Sequence, residues 1–264
     1  MIQLRALFTK KFILILLSVL TSIALLQALR LHQYMQVYEV QGNIMDFLLF
    51  TIGGRENPTL FTFLLTWLSL SFLFLYVSAR SRIVIENFSE FLVTRNRNRI
   101  CAWISNCIAQ LILSIILFTI YFLILIGIGA VGFDGSLTVS AYTREFYFDW
   151  ALFLDIGFLR IVGIISLVFI SGLYAIFTVE QVLLLICRNT MQALMSLAGI
   201  MMVGAISYIY MGAPRVLALT LYTSTVSLNA AGTDVLRAIL MNIVLGGFFT
   251  ILGGVCMRKR DMHY

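Results

Sequence analysis

The sequence predicts an all-α polytopic membrane protein: a single transmembrane domain over residues 1–264, with six spanning helices and both termini in the cytoplasm. Three observations predict it. The chain is 61% hydrophobic and only 11% charged, with a mean hydropathy of +1.00, whereas a soluble domain carries about a quarter charged residues. Six runs are largely apolar over about 20 residues, the length that crosses the hydrocarbon core of a bilayer. The basic residues are unequally shared between the segments joining those runs, and that asymmetry sets orientation. No stretch outside the runs is long enough to build a soluble core.

The first run covers residues 12–29. It lacks a small-residue cleavage site, Gln27-Ala28-Leu29-Arg30 being a poor one, so it reads as a retained helix and not a signal peptide. Before it, MIQLRALFTK fits a short interfacial helix, with Ile2, Leu4, Leu7 and Phe8 dipping into lipid and Arg5 and Lys10 among headgroups. An ordinary basic flank fits equally well. The remaining runs are 59–79, 101–130, 156–187, 191–211 and 235–257. The third and fourth exceed the bilayer thickness, which predicts tilt or extension beyond it. The semi-apolar segment 212–234 is too short to span twice.

Orientation follows from counting. With the N-terminus inside, Arg5, Lys10, Lys11, Arg80, Arg82, Arg95, Arg97, Arg99, Arg188, Arg258, Lys259 and Arg260 are cytoplasmic, twelve of the eighteen basic residues. Arg30, Arg55, Arg144, Arg160, Arg215 and Arg237 fall outside, as do most acids, Asp46 and Asp134 among them. Cys101, Cys107, Cys187 and Cys256 all sit near cytoplasmic ends, the reducing side, and read as free, buried thiols.

Several chemistries lack their residues. There is no G-x-x-x-x-G-K-[ST], so no phosphate-cradling P-loop can form in this chain. H-E-x-x-H and G-x-S-x-G are missing too. His32 and His263 fall on opposite sides of the membrane, so they build no shared metal site or triad, and no metal ligand set is predicted. Catalysis by this chain itself is not expected.

Glu180, in FTVEQVLLLIC, is the intramembrane polar candidate. A carboxylate in hydrocarbon is costly unless paired or wetted, which makes it a functional hypothesis by default. The plainer reading is that it lies within two turns of Arg188 and reaches that arginine or water. Asn106, Gln110, Gln192 and Asn242 read as interhelical hydrogen-bonding residues. Gly246, Thr250 and Gly254 form a small-residue stripe suited to close packing, within the subunit or across a dimer.

The most polar stretch is ENFSEFLVTRNRNR, residues 86–99. Asn87 and Glu90 have the N-x-x-E spacing of a capping box. Phe88, Phe91 and Leu92 then share one face of a helix two or three turns long, which Ile83, Val84 and Ile85 can extend. Such a helix can lie on the membrane or insert into a groove of a soluble protein. Arg95, Arg97 and Arg99 read as headgroup-binding and orienting charges. Without interleaved aromatics they make no nucleic-acid platform.

This layout resembles the membrane subunit of ABC-2-type ATP-binding cassette exporters. In that family an acidic position, a Thr or Ser, an apolar pair and a basic exit into the third span follow one another in the inner loop. Here Glu86, Ser89, Phe91-Leu92, and Thr94 with Arg95, Arg97 and Arg99 fall at those places. The family glycine is replaced by Phe88, and its proline is missing. The resemblance implies that Glu86, Asn87, Phe88, Ser89, Glu90, Phe91, Leu92 and Thr94 are a coupling helix docking on a separate ATPase. It further implies two ATPase copies that bind ATP and Mg, a second membrane subunit (homo- or heterodimeric), a short N-terminal interfacial helix and re-entrant helices within 212–234. The implied setting is a bacterial plasma membrane. The expected cargo is amphipathic or hydrophobic, an antimicrobial peptide for instance. The competing expectation is an ATP-independent immunity or sensor protein that sequesters a peptide.

Overall fold

A computed structural model describes residues 8–53, 69–87, 99–138, 140, 158–187, 189–211, 223 and 235–259. Among these, regular structure is helical throughout. The elements are α1 (Lys10–Tyr38), α2 (Ile44–Leu48) running into a π turn (Leu49–Gly53), α3 (Ser69–Asn87), α4 (Arg99–Gly132), α5 (Phe158–Ile186), α6 (Thr190–Met211) and α7 (Val235–Lys259). An isolated bridge pairs Asn43 with Asp134.

α1 is capped by Thr9, whose hydroxyl accepts the Phe12 N–H at 3.4 Å; of the expected interfacial helix, residues 1–7 lie outside the described residues and Lys10 already belongs to α1. Its buried residues, Phe12, Leu16, Leu20, Ile23, Ala24, Gln27, Leu31 and Met35, recur at three- and four-residue spacing and make one seam. Glu39 closes the helix in the left-handed region at φ 53, with its N–H on the Met35 carbonyl, the usual geometry of an αL cap. At 29 residues α1 is about 43 Å long. Arg30 and His32 therefore belong to a helix that outruns the hydrocarbon, where a loop was expected.

Contacts along the helices fix their relative directions. The Arg80 guanidinium lies 4.4 Å from the centre of the Phe12 ring, so the start of α1 meets the far part of α3. Phe74 meets Tyr121 and Phe169 edge-on at 6.4 and 6.2 Å, while Ser78 bonds to Gln110 and Gln181. α3 therefore runs antiparallel to α4 and parallel to α5. Val168 packs on Ala238, Asn242 bonds to Ser171, and Trp103 gathers Val182, Leu185, Leu252 and Cys256. α7 thus runs parallel to α5 and antiparallel to α4. The starts of α1 and α4 and the finish of α7 share one end of the bundle, here the Trp103 end. The opposite, Asp134 end carries α2.

α5 is the hub. From residue 175 to residue 182 every side chain is buried, the pattern of a helix surrounded on all sides. α6 is peripheral, burying only Ala193, Leu197, Met201, Gly204 and Ala205. The outer faces are apolar, with Leu14, Ile108, Leu167, Val203 and Ile243 among the exposed side chains. A water-soluble monomer does not leave such extended apolar surface uncovered; lipid covers it.

The expected runs match closely: 101–130 became Arg99–Gly132, 156–187 became Phe158–Ile186, 191–211 became Thr190–Met211, and 235–257 became Val235–Lys259. α1, α4, α5, α6 and α7 are each long and apolar enough to cross a membrane. The second run is described only from Ser69, and its apolar part, Ser69–Arg80, is shorter. Segment 212–234 lies outside the described residues but for the buried Thr223. Asp46, expected in an outer loop, is instead buried on α2.

Candidate functional site

α3 and α4 lead into and out of residues 88–98. α3 stays helical through Asn87, so Glu86 and Asn87 occupy its last turn. Asn87 thus ends a helix where the N-x-x-E spacing had it starting one, because Ile83, Val84 and Ile85 continue the helix of the preceding span. Phe88, Ser89, Glu90, Phe91, Leu92, Thr94, Arg95 and Arg97 lie outside the described residues, and Arg99 is the first residue of α4.

Behind that connection, buried polar side chains link three helices. Asn106 Nδ2 on α4 donates to Gln181 Oε1 on α5 at 3.2 Å. Gln181 Nε2 donates to Ser78 Oγ on α3 at 3.3 Å, and Ser78 Oγ donates to Gln110 Oε1 on α4 at 3.1 Å. Asn106 and Gln110 stand one turn apart on the same face of α4, so the chain of bonds closes on the helix where it began. Ser78, Gln110 and Gln181 are buried and Asn106 is half-buried. With no water in a bilayer interior, such groups find partners on neighbouring helices. Each bond contributes on the order of 1 kcal/mol. Ser78 lies nine residues before Asn87, about 13 Å along α3, and Asn106 seven beyond Arg99, about 10 Å along α4.

Glu180 precedes Gln181 on α5 and is 0% exposed. Its closeness in sequence to the helix end does not bring it to the surface, because α5 is enclosed along that stretch. The reading in which it simply reaches water is therefore corrected; Arg188, the other partner considered, is outside the described residues. Among the described residues no three of the His, Cys, Asp and Glu side chains group closely enough to hold a metal ion.

The remaining polar residues of the spans divide. Asn242 Nδ2 donates to the Val168 carbonyl at 3.3 Å and to Ser171 Oγ at 3.0 Å, tying α7 to α5. Gln192 does not join the interior: it is exposed on α6. The Gly246–Thr250–Gly254 stripe packs inside the subunit. A β-carbon on Gly246 would come within 3.0 Å of the Tyr174 ring, and the Tyr174 and Thr250 hydroxyls are 3.1 Å apart. Trp103 Nε1 donates to the Thr250 carbonyl at 2.7 Å. The four thiols are free, but only Cys107 is buried, while Cys101 is exposed.

Sequence reading picked out Asn106 and Gln110 and missed Ser78, Gln181 and Trp103 as their partners and neighbours. Serine is common in membrane helices, and nothing in LSFLFLYVSAR separates Ser78 from Ser71 until the helices are packed. Comparison of the chain with family models, with curated proteins and with solved structures finds no match in any of the three. The architecture and the buried polar links define a class, an α-helical multi-pass membrane protein.

Proposed function

We propose that this chain is the membrane-spanning subunit of an ATP-driven exporter in a bacterial cell membrane. A separate ATPase, holding ATP and Mg, docks on residues 86–94, and two such ATPases work with two membrane subunits. The cargo is amphipathic or hydrophobic, in keeping with the aliphatic and aromatic bundle, and an antimicrobial peptide is the leading candidate.

The observation that carries this reading is the tie between the helices flanking residues 88–98. A docking element can move a transmembrane bundle only if its flanking helices are attached to the core. Here Ser78 on α3 and Asn106 and Gln110 on α4 are bonded to each other and to Gln181 on the hub helix. Force applied at the connection is thereby passed to α5.

Affinity purification from the native membrane tests the reading, with an ATPase carrying a P-loop expected to co-purify. Combining Glu86→Ala with Phe91→Ala is expected to leave the subunit inserted while abolishing cargo-linked ATP hydrolysis. Full transport by that double variant refutes the coupling role, and purification without any ATPase refutes the exporter.

A further inference from the structure

The segment following α1 does not behave as a surface loop. Every residue from 43 to 52 is buried, none more than 8% exposed. α2 packs on α4, and the π turn packs on α1 and α5, so the segment enters the Asp134 end of the bundle. Ten helical residues rise about 15 Å, roughly half the hydrocarbon core, so it enters without crossing.

The rim of this element is polar and its body apolar. At the rim, Asn43 Nδ2 donates to the Thr138 carbonyl at 2.6 Å and the Ile44 N–H to the Asp134 carbonyl at 3.1 Å. Asn43 and Asp46 close a capping box, at 2.8 and 3.0 Å. Below the rim, Ile44 and Phe47 seat on Gly129, where an added β-carbon would lie 3.2 and 3.4 Å from them. Phe47 stacks on Phe133 at 5.1 Å, and Phe50 meets Tyr34 at 6.0 Å.

Two features set this seat apart from an ordinary core. Thr51 Oγ1 on the π turn and Gln27 Oε1 on the buried seam of α1 have no hydrogen-bond partner among the described residues, though Thr51 is 7% and Gln27 3% exposed. Leaving such atoms unmatched opposes burial, and both regain partners once the tip withdraws and polar molecules enter. Beside the rim, next to Gly42, lies an open groove of about 410 Å³, lined by His32, Met35, Gln36, Gln41, Val131 and Asp134. Single π turns are frequent at functional sites.

We propose that residues 43–53 are a re-entrant plug that seals the Asp134 end of the bundle and lifts from its seat on Gly129. In the lifted state Gln27 and Thr51 face a polar path through the subunit itself. That this path carries cargo rests on the exporter reading; the lifting does not.

Two measurements test it. In nanodiscs, where reagent reaches both faces, Thr51→Cys is placed in a background whose four native cysteines are replaced by alanine. A hydrophilic maleimide is expected to label it, and a disulfide between Ile44→Cys and Gly129→Cys to slow labelling at least tenfold, reversibly on reduction. Absence of labelling, or equal rates with and without the disulfide, overturns the plug. Hydrogen exchange on the unmodified protein gives the second readout, independent of how the variants fold. Amides of 43–53 are expected to exchange at least tenfold faster than those of 175–182, and equal protection overturns the proposal. A lifting plug in a protein that recruits no ATPase would keep the gate and remove the exporter. A static plug in a protein that binds an ATPase would do the reverse.

Discussion

The Trp103 indole lies directly against Gly253: a β-carbon at that position would overlap the six-membered part of the ring. The same indole donates its N–H to the Thr250 carbonyl at 2.7 Å, one turn earlier on α7. Glycine at 253 is thus a packing requirement of the α4–α7 contact, and Trp103 fixes the register of the two helices.

Gly253→Ala should therefore destabilise the protein. Overpacking costs about 1–3 kcal/mol, against a gain of about 1 kcal/mol in helix propensity, and the rigid indole cannot yield as a flexible chain end would. Gly254→Ala should instead be stabilising by up to about 1 kcal/mol, since its β-carbon would meet Trp103 at 3.6 Å, an ordinary contact. Thermal unfolding in detergent separates the two, and adding Trp103→Ala should reverse the loss at 253 in a double-mutant cycle.

Ser78→Ala should cost about 1–2 kcal/mol, because Ser78 both accepts from Gln181 and donates to Gln110 and its removal takes one buried hydrogen bond from each. Asn106→Ala, at the half-buried end of the chain of bonds, should cost less. The ordering of the two melting temperatures is the check; a reversed order would show that the bonds are not linked as described.

Asn43→Ala removes a cap and the bond to the Thr138 carbonyl, so it should cost about 1–2 kcal/mol. Asp46→Asn keeps the shape but gives up the carboxylate that accepts the Asn43 N–H at 2.8 Å, and should cost about 1 kcal/mol. Faster amide exchange confined to residues 43–53 is the expected signature in both variants.

Thiol chemistry offers a test without substitution. Cys101 is exposed and Cys107 buried, so a small water-soluble thiol reagent applied in detergent should modify Cys101 at least ten times faster, as access governs the rate. Mass spectrometry of the two peptides reads the ratio. Non-reducing gels should show no disulfide within one chain.

Much of the fold was legible from apolar runs, and the reason is physical. A run such as 101–130 has only one stable form in hydrocarbon, a helix that satisfies its own backbone, so its limits could be read to within two residues of Arg99–Gly132. The apolar run 12–29 is shorter than its helix, since Arg30 and His32 interrupt the apolar pattern without ending α1; Glu39 closes it. The capping box of Asn43 and Asp46 has the N-x-x-D spacing in the sequence but is followed by no periodic apolar run. Nine residues, IMDFLLFTI, are too few to span and carry no period of their own, so they resembled loop. Their burial depends on Gly129, Phe133 and Tyr34, which are distant in the chain.

The sequence by itself determined that this is a membrane-embedded helical protein, where its long helices lie, and that residues 86–99 differ from everything around them. Those properties follow from local composition and from the solvent a helix needs. Tertiary structure alone decided that Ser78, Asn106, Gln110 and Gln181 are bonded together, that Glu180 is enclosed, that Gly253 serves Trp103, and that residues 43–52 are buried. Each of these is a matter of which side chains meet when helices pack, and serine, glycine or glutamine takes its role from the partner it meets.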